Sequence, residues 1–545
     1  MATTTHVPVS EQLARWSRDR RDDPAFGFIT RRGADPAYLS WGDLSDSVRP
    51  IAANIRALAD DRRTGILILC RSERNYVIAL AATLWAGATA IPAPIALNYR
   101  LRDRLRQVSE WGDPDIVLHD LPPEELEKAE IADKGRKVLS IEEAACGPST
   151  KPAEPVATGG LLQFTSGSTG RPKAVWLGQD NLAANCAAIG EAYRLDRTSI
   201  GFHWLPLHHD MGLIGAVLAN FWCGGQSNLM KPALFLQQPL SWWRYVAHLR
   251  ARITSAPNFA YETAVRAADK EDISDLDLSC LDVAITGSEP VRKETVERFM
   301  EKFGPQGVRR GALAASYGLA EATLFVSTRW SDSGPRYLEI EDGAWVVSLG
   351  KPAEGMSVSV VNPDTAKPCD AGEEGQIVLS GLSVGRVVRE GEDWRRPSSA
   401  NASIRTGDIG FLDEGELFIT GRTENVLIIK GRNLRAEALE SALAAASPGI
   451  IPGGVAAVGI EEAGSQALVV FVELERSSRV RGLETRLNAV MGSRFGVAPK
   501  QMVFLRRGTL PRTTSGKIRR SVLRSNYLAG AFDGRELRIE ESADE

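Results

Sequence analysis

The stretch Thr165-Ser-Gly-Ser-Thr-Gly-Arg-Pro-Lys173 concentrates the residue types that hold polyphosphate. Gly167 and Gly170 permit tight turns, so successive backbone N–H groups can converge on an anion. Ser166, Ser168 and Thr169 add hydroxyl donors, and Lys173 adds positive charge. A flexible Ser/Gly surface loop has the same composition. The position directly after the apolar run Leu161 to Phe164 favours a cradle at a strand end. It is not a Walker loop, which needs Gly-Lys followed by Ser or Thr. Here Gly350-Lys351 precedes Pro, and Gly516-Lys517 precedes Ile. The chain also lacks the Lys-x-Asp-Gly of nucleic-acid ligases and any dinucleotide fingerprint.

A second candidate is the polar loop Thr513-Thr-Ser-Gly516, which suits delivery of a long cation, Lys517. Beside Arg519 and Arg520, a basic solvated face is the alternative. Three of the six histidines lie within His203 to His209. No distant residue completes an obvious metal site, so a metal cluster is not favoured. Trp204, Phe221 and Trp222 suit an apolar tunnel for a bulky acid, with aromatic core as the default alternative.

These segments need a scaffold, and the chain supplies one. Its 545 residues make about three or four lobes at roughly 150 residues each. Hydrophobic residues are 43% and charged residues 25%, an ordinary globular composition that excludes global disorder. The 65 basic residues against 69 acidic ones give a net charge of −4, which argues against a nucleic-acid partner bound on a broad basic surface. Six scattered cysteines form no Cys-x-x-Cys pair, and the start Met-Ala-Thr-Thr-Thr-His has no signal-peptide pattern, so a reducing cytoplasm is expected. Tyr76 to Leu97 carries no charge. Gly87, Pro92 and Pro94 break it into a buried helix through Trp85, a turn and a strand around Ile91, and no membrane span is expected.

In the first half, apolar runs such as Ile66–Cys70 and Asp115–Leu118 alternate with helices such as Leu101–Trp111. That rhythm predicts parallel sheets covered by helices. After about residue 330, short strands between Gly, Pro and Asp turns predict an antiparallel, barrel-like lobe. The last stretch reads as a small α+β unit. The expected fold is therefore α/β: an N-terminal domain, 1–420, of two mainly parallel sheets plus the barrel-like lobe, and a mobile C-terminal domain, 421–545.

Thr165 to Lys173 resembles the phosphate loop of the adenylate-forming superfamily of acyl-CoA synthetases, fatty acyl-AMP ligases and adenylation domains. Four further segments follow in that family's order: Trp204-Leu-Pro-Leu-His-His-Asp-Met-Gly212, Tyr317-Gly-Leu-Ala-Glu-Ala-Thr323, Arg405-Thr-Gly-Asp408 with Gly421-Arg422, and Pro511-Arg-Thr-Thr-Ser-Gly-Lys517. The Trp204 and Tyr317 segments are closest to the fatty acyl-AMP ligase branch. The resemblance implies ATP, Mg2+ and a hydrophobic carboxylic acid as reactants, joined as an acyl adenylate. It implies transfer to coenzyme A, or alternatively to the phosphopantetheine of an acyl carrier protein, or competence in only one half-reaction.

By the same resemblance, Thr165, Ser166, Gly167, Ser168, Thr169, Gly170 and Lys173 bind the ATP phosphates. Lys517 bridges the carboxylate and the α-phosphate, His209 gates the acyl pocket, and Glu321 binds magnesium. Ser288, Glu289, Pro290, Tyr317, Gly318, Asp408 and Arg422 hold adenosine. Glu424 marks the hinge, and Lys430 with Gly431 lines the thiol tunnel. Several positions depart from the pattern: Ala174 for a glycine, His208 for a tyrosine, Glu424 for Asp or Lys, Asn425 for an acid, and unusual Trp176 and Gln179. The segments Ser327–Val347 and Gly381–Arg405 are short for an acyl-AMP ligase, which favours CoA as acceptor.

Overall fold

The computed structural model describes residues 6–59, 63–95, 99–131, 135–146, 153–166, 172–340, 345–388, 392–395, 403–429, 432–462, 465–475, 482–512 and 518–532. Gly167, Ser168, Thr169, Gly170, Lys430, Gly431 and Lys517 lie outside these residues, and Ser166 is described by its backbone alone.

The fold is mixed α/β with two large, mainly parallel sheets. One has seven strands, in the order Arg386–Val388, Pro172–Gly178, Gly160–Ser166, Thr89–Pro92, Gly65–Leu69, Ile116–His119 and Lys137–Ser140. Strands Gly160–Ser166 through Lys137–Ser140 run parallel; the first two are added antiparallel. Gly65–Leu69 is buried along its whole length, as a central parallel strand with helices on both faces must be. The neighbouring helix Glu73–Trp85 is buried at every residue from Tyr76 onward, which explains its lack of charge. Among the described residues, no helix is long and apolar enough to cross a membrane.

The second sheet has nine strands, with Leu313–Gly318, Val283–Gly287, Ile253–Pro257, Ile200–His203, Gln226–Met230 and Pro24–Ile29 adjacent and parallel. A four-stranded antiparallel sheet follows: Met356–Val361, Gly375–Gly381, Ile404–Asp413 and Glu416–Arg422. In Gly375–Gly381, Ile377 and Leu379 point inward with partly exposed residues between, the period of two that one-sided burial demands. Beyond a 3-10 turn at Thr423–Asn425 come a short hairpin, the helix Ala436–Ala445, a three-stranded sheet and the helix Arg520–Leu528. The apolar side chains there, such as Leu427, Leu439, Val470 and Leu487, pack among themselves.

Two glycines set the start of the strand that carries the phosphate-loop motif. Gly159 and Gly160 have φ of +77° and +155°. A Cβ on Gly160 would stand 1.9 Å from the Leu177 carbonyl oxygen, and one on Gly159 2.2 Å from that of Ala88. Side chains here would push the strand off both neighbours. Gly160→Ala is expected to cost on the order of 3 kcal/mol in chemical denaturation.

Candidate active site

Gly160–Ser166 and Pro172–Gly178 pair antiparallel, with Thr165 opposite Lys173. The two stems of the phosphate-loop motif therefore stand side by side, and Lys173 is exposed. Phe164 and Ala174 are register partners, and Ala174 is fully buried against Phe164, Leu162 and Trp394, so its methyl group serves packing. Trp176 lies under the Arg63 guanidinium, 4.3 Å from the ring centre.

Gln163, on the same strand, reaches the next motif. Its Nε2 donates to the His208 carbonyl at 3.0 Å. The His208 and His209 rings stand 4.4 Å apart. His209 opens the π-helical turn Met211–Leu218 by accepting the Leu213 N–H at 2.7 Å. The other end of this segment touches the adenosine motif, because Ser288 Oγ donates to Met211 Sδ at 3.4 Å. Ser288 takes a left-handed φ of +64°, and Glu289 accepts the Phe259 N–H through Oε1. Ser288, Glu289 and Pro290 follow Val283–Gly287, whose neighbour Leu313–Gly318 ends at Tyr317 and Gly318. Both candidate adenosine loops thus lie at carboxyl ends of adjacent parallel strands, where open α/β sheets hold ligands.

Tyr317 Oη donates to Asp408 Oδ2, and Arg422 Nε donates to Asp408 Oδ1 at 2.8 Å. Asp408 is 4% exposed and pairs in register with Arg422. Burial and the Asp408 charge push the Tyr317 phenol well up, and Asp408 holds the Arg422 guanidinium above its ordinary value. The resemblance implies a carboxylate that accepts from both ribose hydroxyls. Here each oxygen already accepts one bond, and each keeps a second lone-pair direction for a ribose.

Glu321 sits on the 3-10 turn Ala320–Ala322. The turn ends at buried Thr323, with φ +67° and ψ −68°, a strained conformation for a β-branched residue. Thr323 Oγ1 donates to the Ser383 carbonyl at 2.7 Å, and Glu321's carbonyl accepts the Gly385 N–H at 2.9 Å. Asn185 clamps the other side. Its Oδ1 accepts the Phe325 N–H at 3.0 Å, and its Nδ2 donates to the Phe325 carbonyl at 2.8 Å. Asn185 was not anticipated; a polar residue amid the apolar stripe of Gln179–Ala192 is its only mark in the sequence. Among the described residues, no group of three His, Cys, Asp or Glu side chains is placed to hold a metal ion. A lone Glu321 carboxylate suits Mg2+, which takes most of its ligands from phosphate oxygens and water.

His208 and His209 lie side by side, and among the described residues no third His, Cys, Asp or Glu joins them to hold a metal. His203 is buried, with Nδ1 3.1 Å from Ser255 Oγ, and burial brings it down to about 4. His208 is also brought to about 4, by burial and then by Arg104. Arg104, on the helix Tyr99–Gly112, is itself brought down to about 10 by burial and by the charge of Arg519. The sequence reading missed Arg104. Arg512 and Ile518 bridge across the base of the Lys517 segment, and the Arg519 N–H donates to the Pro511 carbonyl at 2.8 Å. Arg519, at that base, is near enough to Arg104 for its charge to be felt there.

The aromatic tunnel of three residues does not form. Trp204 stacks on Phe235 at 3.8 Å, within the core of the nine-stranded sheet. Phe221 instead packs on Phe26 and Trp41, and Trp222 lies near His6 in a separate core. The helix through Ala219–Cys223 turns both away from Trp204.

The fold and the gathered motifs define an adenylate-forming enzyme. Residues 13–387 match the family described as AMP-binding enzyme, and the chain belongs to that family as an AMP-forming ligase. It is 33% identical to the medium-chain-fatty-acid–[acyl-carrier-protein] ligase JamA of Moorena producens, over 94% of each chain. It is 30% identical to the long-chain-fatty-acid–AMP ligase FadD32 of Mycolicibacterium smegmatis, over 95% of this chain and 94% of that one. A solved structure from work on fatty acyl-adenylate ligases of E. coli and L. pneumophila superimposes with a TM-score of 0.86 at 25% identity, covering 96% of this chain and 98% of its own.

His203 gives a pH prediction. Its folded-state value lies below the ordinary 6.5, so the unfolded chain binds its proton more tightly. Its contribution to stability is complete above the unfolded value and is lost as pH falls toward about 4. His203→Gln is expected to flatten the decline of the denaturation midpoint between roughly pH 6.5 and 4.5 relative to the parent; an equally steep decline would refute the assignment.

Proposed function

We propose that the protein condenses a hydrophobic carboxylic acid with ATP, giving an acyl adenylate and pyrophosphate, and then passes the acyl group to a pantetheine thiol. One observation supports this above the rest. The segment His208–Met211 touches the phosphate-loop strand through Gln163 and the adenosine loop through Ser288. An ATP laid across it has its phosphates toward Thr165 and Lys173 and its adenosine toward Ser288–Pro290, Tyr317 and Asp408.

The reaction brings two anions together, so the site must offset negative charge as the carboxylate approaches the α-phosphorus. Lys517 supplies that charge in this reading. Arg104 and Arg519 lie at the base of its segment, and no hydrogen bond or ion pair occupies Arg104 among the described residues. His208, neutral at pH 7, adds polarity without adding charge. Magnesium, when bound, neutralises phosphate charge, and Glu321 is the residue that would hold it. His209 stands between nucleotide and acid. Residues 1–420 hold the substrates, and residues 421–545 turn about Glu424, withdrawing Lys517 and presenting Lys430 and Gly431 to the thiol.

The acceptor is either a carrier protein or free coenzyme A. JamA's name favours the carrier, and the short connections in the third lobe favour coenzyme A. Mass spectrometry of products from enzyme, ATP, Mg2+, CoA and a panel of aliphatic and aromatic acids tests the reading. An acyl-CoA product selects CoA. An adenylate that persists with CoA and is consumed by a phosphopantetheinylated carrier selects the carrier, and no adenylate from any acid defeats the proposal. Lys517→Ala is expected to slow adenylate formation at least about a hundredfold, the scale of one lost transition-state charge donor. Thioester formation from a supplied adenylate should survive.

A further inference from the structure

Asn425, at the end of the 3-10 turn Thr423–Asn425, is 8% exposed. Its Nδ2 donates to Glu437 Oε1, in the first turn of the helix Ala436–Ala445. Glu437 Oε2 is buried and accepts no hydrogen bond from the described residues. One turn further, Glu440 takes a fork from Arg520, with Nη2 2.7 Å from Oε2 and 2.9 Å from Oε1, and Nε 3.2 Å from Oε1. Glu440 Oε1 also accepts the Ala457 N–H at 2.9 Å. Arg520 Nη2 lies 3.8 Å from Glu437 Oε1. Arg520 opens the helix Arg520–Leu528, three residues after Lys517. The result is one continuous polar network from the hinge turn, through one helix, to the stem of the Lys517 segment.

The network carries more carboxylates than guanidinium groups. Around Arg520 stand Glu440, Glu437 and, further off, Glu424. The nearby Arg435 is engaged by Glu374 at 3.2 Å. Burial opposes the Arg520 charge, and Glu440 and Glu437 outweigh it. Burial pushes Glu437 up, Arg520 pulls it back, and Glu440 pushes it up again. An acid at position 425 would add a further carboxylate against Glu437 and remove the amide that donates to it. A neutral donor is what this network can accept, which gives a physical reason for the Asn at a position where acids are usual.

We propose that Asn425 is a positioning residue for adenylation, which through Glu437 and Arg520 fixes the stem of the Lys517 segment relative to the hinge. This rests on the function read for Lys517 above. The role is selective, since the lysine is needed only while the adenylate forms.

The test compares the parent, Asn425→Asp, the double variant Asn425→Asp with Glu437→Gln, and Lys517→Ala in the full-length enzyme. The readouts are ATP–pyrophosphate exchange, thiolation of a supplied acyl adenylate, and the unfolding midpoint. Asn425→Asp is expected to lose about tenfold in exchange at about pH 8, the scale of one charge-assisted hydrogen bond, with thiolation near the parent rate. The loss should shrink as pH falls to about 6, because a proton shared between the introduced carboxyl group and Glu437 re-creates the donor. Adding Glu437→Gln should restore exchange at both pH values, since the glutamine amide then donates to the introduced carboxylate. Equal exchange in Asn425→Asp and parent would overturn the proposal. So would a pH-independent loss in both half-reactions together with a lowered midpoint, which marks a merely structural contact. Full exchange in Lys517→Ala would instead defeat the reading of Lys517, and the positioning role with it.

Discussion

Asp408 is the charge on which the assembly turns. It is almost wholly buried, and a buried carboxylate persists only when paired and hydrogen-bonded. Its two partners come from different places. Tyr317 ends a strand of the nine-stranded sheet, and Arg422 ends the last strand of the antiparallel lobe. One residue therefore fixes the third lobe against the second sheet. It also fixes where the chain leaves for its C-terminal part, because the next residues are the 3-10 turn at Thr423–Asn425. Moving Asp408 would disturb the strand end at Tyr317 and the turn Thr423–Asn425 together.

Around that anchor, negative and positive charges are treated differently. The buried acids Asp408, Glu440 and Glu473 all meet cations: Arg422 at 2.8 Å, Arg520 at 2.7 Å and Arg512 at 3.2 Å. Arg104, by contrast, feels the like charge of Arg519, which with burial brings it down to about 10. Two like charges held together at a partly buried place raise the energy of the empty protein. They favour a state in which an oxyanion lies between them. The neutral histidine beside them keeps that repulsion from growing further.

Much of this was legible in the sequence because it is local. The uncharged run from Tyr76 resolves into a helix ending at Trp85, a turn at Gly87 with φ +78° and a strand from Thr89, as its glycine and prolines imply. The motif residues Tyr317, Asp408 and Arg422 were each identifiable, and register then brings the last two together. What could not be read depends on distant packing. Phe221 and Trp222 follow Trp204 closely in the chain, yet they lie on the helix Ala219–Cys223 and pack into another core. Asn185 matters because residues 322 to 325 pass beside it, and Arg104 because residue 519 does. Asn425 read as a missing acid when only its neighbours in sequence were considered. Glu437 and Glu440 show that the acids are already present, supplied by the next helix.

The C-terminal part differs in how it holds itself together and how it meets the rest of the chain. Its apolar side chains are spent on its own cores, around Leu439 and Val470 on one face of the sheet and Phe471 and Leu523 on the other. Among the described residues, its side-chain ties to the rest of the chain include polar ones. Arg266, on the helix Asn258–Ala268, donates to the Ile450 carbonyl at 3.1 Å and lies 3.4 Å from Glu475, while Arg435 reaches Glu374 at 3.2 Å. Partly exposed ion pairs of this kind contribute about 0–1 kcal/mol each, because water replaces them almost without loss. An apolar interface would hold more firmly, by roughly 25 cal/mol per Å2 of area kept from water. The internal network from Asn425 through Glu437 and Glu440 to Arg520 therefore couples the turn Thr423–Asn425 to the helix Arg520–Leu528 more firmly than these outward ties couple the C-terminal part to the large lobe.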